Sequence, residues 1–212
     1  MNSIHSILLV AVLALTGCFS LGRDEPSQQH FVLGGNRLQA SAPQAERLAG
    51  LTIGLRQVNL AEYLDTPLIV VRHAPHQIRF SEFNRWGENL DGGFNRAVAL
   101  YLADRAPFEG VDVVPWAPRT QHDYLIQIHL LRFEGVVIED GLEGEAYMLA
   151  NWEIIRQPDG AVLSRGTTDY RQDGWTVGDY GDLVTRLDAG VGELSDDLIA
   201  GLEEIAASVA SN

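Results

Sequence analysis

The last quarter of the chain restricts the fold more than any other segment. From about residue 180 to 208, apolar residues recur every three or four positions with acidic residues between them. They are Val184, Leu187, Val191, Leu194, Leu198, Leu202, Ile205 and Val209. This spacing predicts one long amphipathic helix whose apolar face must be covered, either by the chain's own sheet or by a partner helix. Gly190, Gly192 and Gly201 weaken the helix and would permit a close approach or a kink.

A second helical pattern covers about residues 88–105. Leu90, Phe94, Ala97, Val98 and Tyr101 recur at helical spacing. The pair Gly92-Gly93 weakens the first turn of this helix.

Short β-branched and alternating runs predict the strands. They lie at 31–33, 51–55, 67–72, 77–80, 111–114, 124–133, 146–154 and 161–170. In the strand 124–133 both faces are apolar, with Leu125, Leu131 and Phe133 opposite the face of Ile128 and Leu130, so we expect a central, covered strand. The order of elements predicts an α/β fold, a mixed sheet with two long helices packed on it as an α/β sandwich, in a single domain over residues 31–210.

The N-terminus contains the only cysteine, Cys18. One cysteine closes no internal disulfide and forms no thiolate zinc cluster, so it is a nucleophile, a core residue or an attachment point. The preceding apolar run, Ile7 to Leu15, is too short to span a bilayer but suits a signal peptide. The alternative is an ordinary buried N-terminal helix that ends in a core cysteine.

The sequence Leu15-Thr16-Gly17-Cys18 resembles the bacterial lipobox. The resemblance implies a signal peptide over 1–17, cleavage before Cys18 and acylation of its thiol, although residues 1–6 contain no Lys or Arg. Two or more acyl chains give stable membrane attachment, at about 0.8 kcal/mol per buried methylene. Residues 18–30 would then be the lipidated cysteine and a short polar tether with an r.m.s. span of roughly 20 Å. Phe19 in place of Asp favours the outer over the inner membrane.

Composition excludes several classes of function. The net charge of −14 argues against nucleic-acid binding and against electrostatic docking on anionic lipid. All 15 basic residues are arginine, so neither a lysine Schiff base nor a Walker A lysine can form. If the chain serves an ATP-driven system, it is not the ATPase.

Candidate catalytic and metal-binding features are few. His73 and His76 lie in a predicted hairpin turn with no third ligand at a recognisable spacing, so a simple turn is favoured over a metal site. His129 is expected to be a partly buried strand residue. The acidic stretch 139–145 lacks the ligand alternation of a calcium loop and suits a solvated hairpin tip. We therefore expect no enzyme activity, no metal and no cofactor.

One ordered set of motifs carries family identity. It comprises Tyr63-Leu64-Asp65-Thr66-Pro67-Leu68-Ile69-Val70-Val71-Arg72, then Arg85-Trp86-Gly87-Glu88-Asn89-Leu90, then Asp123-Tyr124, Arg132-Phe133 and Ala150-Asn151-Trp152. The set resembles the ABC-type transport auxiliary lipoproteins, the paraquat-inducible protein C family, over roughly residues 30–208.

The motif residues also have a structural interpretation. Pro67 sets a turn before a buried strand, and Arg72 can bridge to a carboxylate such as Glu88. Trp86 would lie over the sheet where the first helix begins, and Glu88 in the first helical turn would suit the helix dipole. Tyr63, Leu64 and Arg85 complete the set, which forms either a structural cluster or a partner-binding surface.

The family resemblance implies an envelope lipid-transport system. Its members accompany a permease, an ATPase and a mammalian-cell-entry (MCE) protein that bridges the periplasm. The chain is then a non-catalytic lipoprotein on the periplasmic face of the outer membrane that anchors the MCE partner. A general envelope-assembly scaffold, a lipid-anchored hydrolase and a direct lipid carrier are the alternatives, and the sequence leaves homo-oligomerisation open.

Overall fold

The computed structural model describes residues 27–35, 45–117, 120–138 and 141–211. Within these ranges there are two α-helices, α1 (Leu90–Arg105) and α2 (Tyr180–Ala210), and two short 3₁₀ turns at Glu46–Leu48 and Glu62–Leu64. The strands are β1 (Gln29–Phe31), β2 (Thr52–Leu55), β3 (Asn59–Leu60), β4 (Leu68–Ala74), β5 (Gln77–Trp86), β6 (Gly110–Val113), β7 (Tyr124–Val137), β8 (Glu143–Arg156) and β9 (Val162–Thr176).

The sheet is organised around β7. Along one edge β7 pairs antiparallel with β8, which pairs antiparallel with β9. Along the other edge β7 pairs in parallel with three strands in succession, first β2, then β3 and then β4. The sheet continues from β2 to β6 and from β4 to β5 and β1. The described residues thus form one mixed sheet of nine strands, which is the sheet of an α/β fold.

A β-bulge in β7 changes which of its residues face the helices. Leu130 pairs with Ala150, but the register shifts at Leu131, so that Phe133 pairs with Met148. A bulge adds one residue to one strand and reverses the alternation beyond it. The prediction that Phe133 faces away from Leu130 is therefore wrong, because both lie on the same buried face. Leu131 is 38% exposed on the other face.

Both helices cover this buried face of the sheet. On α1, Phe94 packs edge-on against Phe133 with ring centroids 5.6 Å apart. On α2, Leu183 lies against Gly135, which points in the same direction as Phe133. The apolar stripe of α2 is buried from Leu183 to Ile205. The predicted two-layer α/β arrangement is confirmed, and the stripe packs on the chain's own sheet rather than on a partner helix.

Two glycines of α2 bring the helix close to the sheet. A Cβ at Gly190 would lie 2.8 Å from the ring of Tyr170, and one at Gly201 would lie 3.0 Å from Ile154. Ordinary side chains do not fit at such separations without displacing a neighbour. The predicted close approach is confirmed at both positions.

A buried carboxylate fastens the N-terminal segment to both helices. Asp188 of α2 is 3% exposed. It accepts a hydrogen bond of 2.8 Å from the backbone N–H of Gly34 and another of 2.8 Å from the hydroxyl of Tyr101 on α1. Burial, together with the Asp188 carboxylate, raises the pKa of Tyr101, so its phenol stays a neutral donor.

Candidate functional site: an arginine–tyrosine network

The helix-free face of the sheet holds a chain of charged and aromatic side chains around Glu134. The side chain of Glu134 is fully buried, with 0% exposure. The Nε atoms of Arg72, on β4, and Arg132 each donate to its Oε1 atom at 2.7 Å. Glu134 lies on this face because the bulge in β7 comes before it. One carboxylate is therefore shared by two guanidinium groups, a charge-assisted arrangement that fixes both.

Tyr63 extends this network from the second 3₁₀ turn. Its hydroxyl donates to the carbonyl oxygen of Leu131 at 3.1 Å, and the guanidinium of Arg72 lies 5.9 Å from the centre of its ring. Burial, reinforced by the charge of Glu134, raises the pKa of Tyr63 to about 12. The ion pair with Glu134 raises the pKa of Arg72. Both groups therefore keep their usual protonation state over the whole physiological range.

Two arginines enclose Tyr147 of β8. The guanidinium carbon of Arg132 lies 4.3 Å from the centre of its ring, and that of Arg171, on β9, lies 3.8 Å from it. Tyr147 is only 4% exposed. Each cation–π contact contributes about 0.5–2 kcal/mol, depending on desolvation. Arg171 also donates to Glu145 at 2.9 Å and lies 3.6 Å from Asp169.

A cleft opens at one end of the network, between the β4–β5 and β7–β8 hairpins. It has a volume of about 580 Å³. Arg72, Arg132 and Arg171 line it, as do Glu145 and His73, and apolar residues of both hairpins complete its walls. We refer to it as the arginine cleft. Guanidinium donors between apolar walls provide hydrogen bonds for an anionic group that carries hydrocarbon.

The structure divides the predicted motif residues among three environments. Tyr63 and Arg72 belong to the network. Leu64 and Trp86 are buried in the core, with the Trp86 ring 5.7 Å from that of Phe133. The carbonyl of Pro67 accepts a hydrogen bond of 2.8 Å from the backbone N–H of Trp86, which joins the start of β4 to the end of β5. These positions favour a structural role for most of the set.

The expected bridge between Arg72 and Glu88 is wrong. Arg72 points across to the neighbouring strand β7 and pairs with Glu134, whereas Glu88 pairs with Arg96 of α1. Glu88 also precedes the helix, which begins at Leu90, and Trp86 is the last residue of β5. The β5 strand continues six residues beyond its predicted end at Phe80, so the helix starts later.

Arg85, at the end of β5, is the remaining motif residue. Its Nε atom is buried and has no hydrogen-bond partner within the described part of the chain.

His76 and His129 occupy the elements that the sequence predicts, a turn and a strand, but the placement of His73 in the turn is wrong, because β4 continues to Ala74. His73 is the next-to-last residue of β4, close to the turn that contains His76, and burial, together with the nearby Arg79, lowers the pKa of His73. His129 is half-buried, and its Nδ1 atom lies 3.3 Å from the amide nitrogen of Asn59. In the described ranges no group of three or more His, Cys, Asp or Glu side chains is arranged to hold a metal. Cys18, Glu139 and Asp140 lie outside the described residues.

Sequence reasoning missed Glu134, Tyr147 and Arg171. All three lie on the helix-free face of β7, β8 and β9, which the sequence pattern assigns either to a covered apolar layer or to solvent. The available signal was a charged pair, Arg132 and Glu134, inside the otherwise apolar stretch 130–137, because buried charges need partners. Asp188 gave a similar signal, since it interrupts a helical segment whose neighbours are apolar.

A family model described as the ABC-type transport auxiliary lipoprotein component matches residues 31–199. The comparison with curated proteins gives no significant match.

Several solved structures have a similar fold. Protein XCC0632 from Xanthomonas campestris is 17% identical, with a TM-score of 0.65, over 79% of this chain and 92% of that one. A second structure, of an uncharacterized protein, is 18% identical, with a TM-score of 0.61, over 73% of this chain and 94% of that one. At these identities the likeness shows the fold alone.

Proposed function

Because this chain belongs to the family of ABC-type transport auxiliary lipoprotein components, we propose that it is a lipid-anchored adaptor of an ABC-type lipid transporter. In this proposal it performs no chemistry and holds an MCE-domain partner at the outer membrane, on the periplasmic side. The observation that carries the proposal is a family match over residues 31–199 that follows a lipobox ending at Cys18.

Anchoring would act through Cys18. A diacylglyceryl thioether and an acylated amino terminus attach a protein stably, whereas a single chain binds only marginally. Neither α-helix within the described ranges is both long and apolar enough to cross a membrane. The attachment that we propose rests on acyl chains at Cys18.

The adaptor role would act through effective concentration. A protein fixed to one leaflet by a tether of about twelve residues holds a bound partner within a few nanometres of that leaflet. A modest affinity for the partner then suffices to localise it.

Co-purification from the native envelope tests the adaptor role. The tagged full chain, extracted in mild detergent, is expected to enrich an MCE-domain protein, and an unrelated outer-membrane lipoprotein with the same tag is the control. Recovery of the outer-membrane assembly machinery without any MCE-domain protein would favour the general scaffold instead.

The anchor is tested with Cys18→Ser. This variant is expected to leave the membrane fraction and to lose most of the partner. Mass spectrometry of the native protein should find residues 1–17 removed and a diacylglyceryl group on Cys18, and an uncleaved chain with a free thiol would contradict the proposal.

A further inference from the structure

Strand directions place two hairpin turns at the same end of the sheet. β4 runs parallel to β7, with Arg72 beside Val136, so both strands finish at one end. β4 turns into β5 after Ala74, and β7 leads toward β8 after Val137. We call this the hairpin end. The opposite end holds the β8–β9 turn, which includes Pro158-Asp159-Gly160.

The N-terminal segment is directed toward the hairpin end. β5 starts there at Gln77 and runs away from it, and β1 is parallel to β5 with Gln29 beside Asn84. Followed backwards from Gln29, the chain therefore points toward the hairpin end, which lies seven residues of strand away, or about 23 Å. Eleven peptide links join Cys18 to Gln29, and a chain of that length spans at most about 38 Å. The sequence between Cys18 and Gln29 is therefore long enough to place an anchor on Cys18 at the hairpin end.

The hairpin end exposes large apolar side chains beside the arginine cleft. Leu142 and Ile138, which flank the β7–β8 turn, are 72% and 48% exposed, and Phe80 on β5 is 45% exposed. The arginine cleft opens between the same two hairpins. Apolar side chains that enter the acyl boundary, with guanidinium groups at the depth of the phosphates, are the features of a surface that lies on a bilayer.

The charge of this end determines which kind of membrane contact is expected. Glu143 and Glu145 lie next to the cleft, and the sequence places Glu139 and Asp140 between its flanking residues, outside the described ranges. Arg72 and Arg132 share Glu134, and Arg171 lies beside Glu145 and Asp169. The carboxylates therefore outnumber the three arginines, and the end has no net attraction to an anionic surface. Contact would instead depend on apolar burial and on hydrogen bonds from the arginines to phosphodiester groups, which zwitterionic and anionic lipids share.

We propose that the hairpin end rests on the leaflet that holds the lipid anchor, with Leu142 and Ile138 in the interface and the arginine cleft against lipid phosphodiesters. This inference rests on the proposed acylation of Cys18. It leaves the opposite end, around the β8–β9 turn, directed away from the membrane.

The single cysteine makes a direct test available. In the acylated full chain, Leu142→Cys introduces the only free thiol, and Val162→Cys does the same at the opposite end, where Val162 is 39% exposed. Each variant is labelled with bimane and reconstituted into vesicles of phosphatidylethanolamine and phosphatidylglycerol that contain nitroxide-labelled lipid. Quenching is expected to be at least about threefold stronger at position 142, because only a side chain buried about 5–10 Å into the headgroup and acyl boundary lies among the nitroxide lipids. Phe80→Cys provides a second probe at the hairpin end, independent of the first.

Vesicle flotation separates the two possible failures. Protein that does not float with the vesicles contradicts the proposed anchor and removes the basis of this inference. Protein that floats but is quenched equally at positions 142 and 162, or more at 162, overturns the orientation and leaves the anchor intact. Thermal unfolding of the labelled variants confirms that each one is folded.

Discussion

At the scale of single residues, the side chains of Arg72 and Arg132 both depend on Glu134 as their counter-charge. Its buried carboxylate forms an ion pair with each of the two guanidinium groups. Arg72 in turn packs on the ring of Tyr63, and Arg132 packs on the ring of Tyr147. Removing one member of a buried charged set costs more than the set contributes as a whole, because the remaining charges lose their partner.

We expect Glu134→Gln to lower the free energy of unfolding by about 3 kcal/mol. The amide keeps the size of the side chain but leaves Arg72 and Arg132 without a counter-charge. Urea denaturation measures the effect. The control is Glu153→Gln, whose carboxylate pairs with Arg165 in a more exposed position, and a change below about 1 kcal/mol is expected there. Equal effects of the two variants would show that the network is not cooperative.

Asp159, in the β8–β9 turn, gives a prediction about pH. The hydrogen bonds from Arg156, together with the backbone N–H of Ala161, lower the pKa of Asp159 to about 2. A lowered pKa means that the folded state favours the ionised form, so this contribution to stability is present above about pH 4 and is lost as the pH falls through about 2. Carboxyl ¹³C NMR should show a titration midpoint near 2 for Asp159.

Arg156→Gln provides the matched control for Asp159. Without the guanidinium, the midpoint should move up toward the ordinary aspartate value of about 4. An unchanged midpoint would mean that the turn backbone, not Arg156, sets the pKa.

At the scale of elements, the sequence predicts a helix whose apolar residues recur regularly, but it does not predict which face a strand residue occupies beyond a β-bulge. The stripe from Val184 to Val209 predicts α2 to within two residues of its C-terminal end, because a buried helix face must repeat every three to four positions. In β7 the same reasoning places Phe133 on the wrong face, because one extra residue at Leu131 reverses the alternation. That reversal brings Glu134 beside Arg72, so the network cannot be derived without it.

Alanine substitutions at two helix glycines are expected to change stability in opposite directions. Gly190→Ala is expected to destabilise the protein by about 1–2 kcal/mol, because its Cβ would lie 2.8 Å from the ring of Tyr170. Gly92→Ala, on the exposed side of α1 with no atom within 4 Å of its Cβ, is expected to stabilise it by about 0.5–1 kcal/mol. Thermal denaturation measures both changes. A stabilising Gly190→Ala would mean that the contact between α2 and β9 is loose.

At the scale of the whole molecule, topology brings together residues that the sequence keeps far apart. Parallel pairing places β2, β3 and β4 in turn along one edge of β7, so residues between 53 and 72 meet residues between 124 and 136. The two-layer α/β arrangement follows from the order of strands and helices, but nothing local specifies which strands pair. For this reason the sequence identifies Tyr63 and Arg72 as notable but not their partners.

Asp188 ties distant parts of the chain together, and we expect Asp188→Ala to lower the free energy of unfolding by about 3 kcal/mol. The loss reflects at least two charge-assisted hydrogen bonds, from Gly34 and from Tyr101. Tyr101→Phe removes one of these bonds and should cost less. Hydrogen exchange at the Gly34 amide should accelerate in Asp188→Ala and stay slow in Tyr101→Phe, and equal acceleration in both would place the tie at Tyr101 instead.

The parallel pairing of β1 with β5 has a mechanical consequence for a domain held by its N-terminus. If the proposed anchor pulls from the hairpin end, the tension runs along the axis of β1, so it loads the three register pairs between Gln29–Phe31 and their partners in shear, all at once. The same force would open an antiparallel edge hairpin rung by rung. Force that passes beyond β1 is transmitted to α2 through the hydrogen bond from Gly34 to Asp188. The three-residue strand β1 would therefore resist force best along its own axis, the direction in which the proposed anchor would pull.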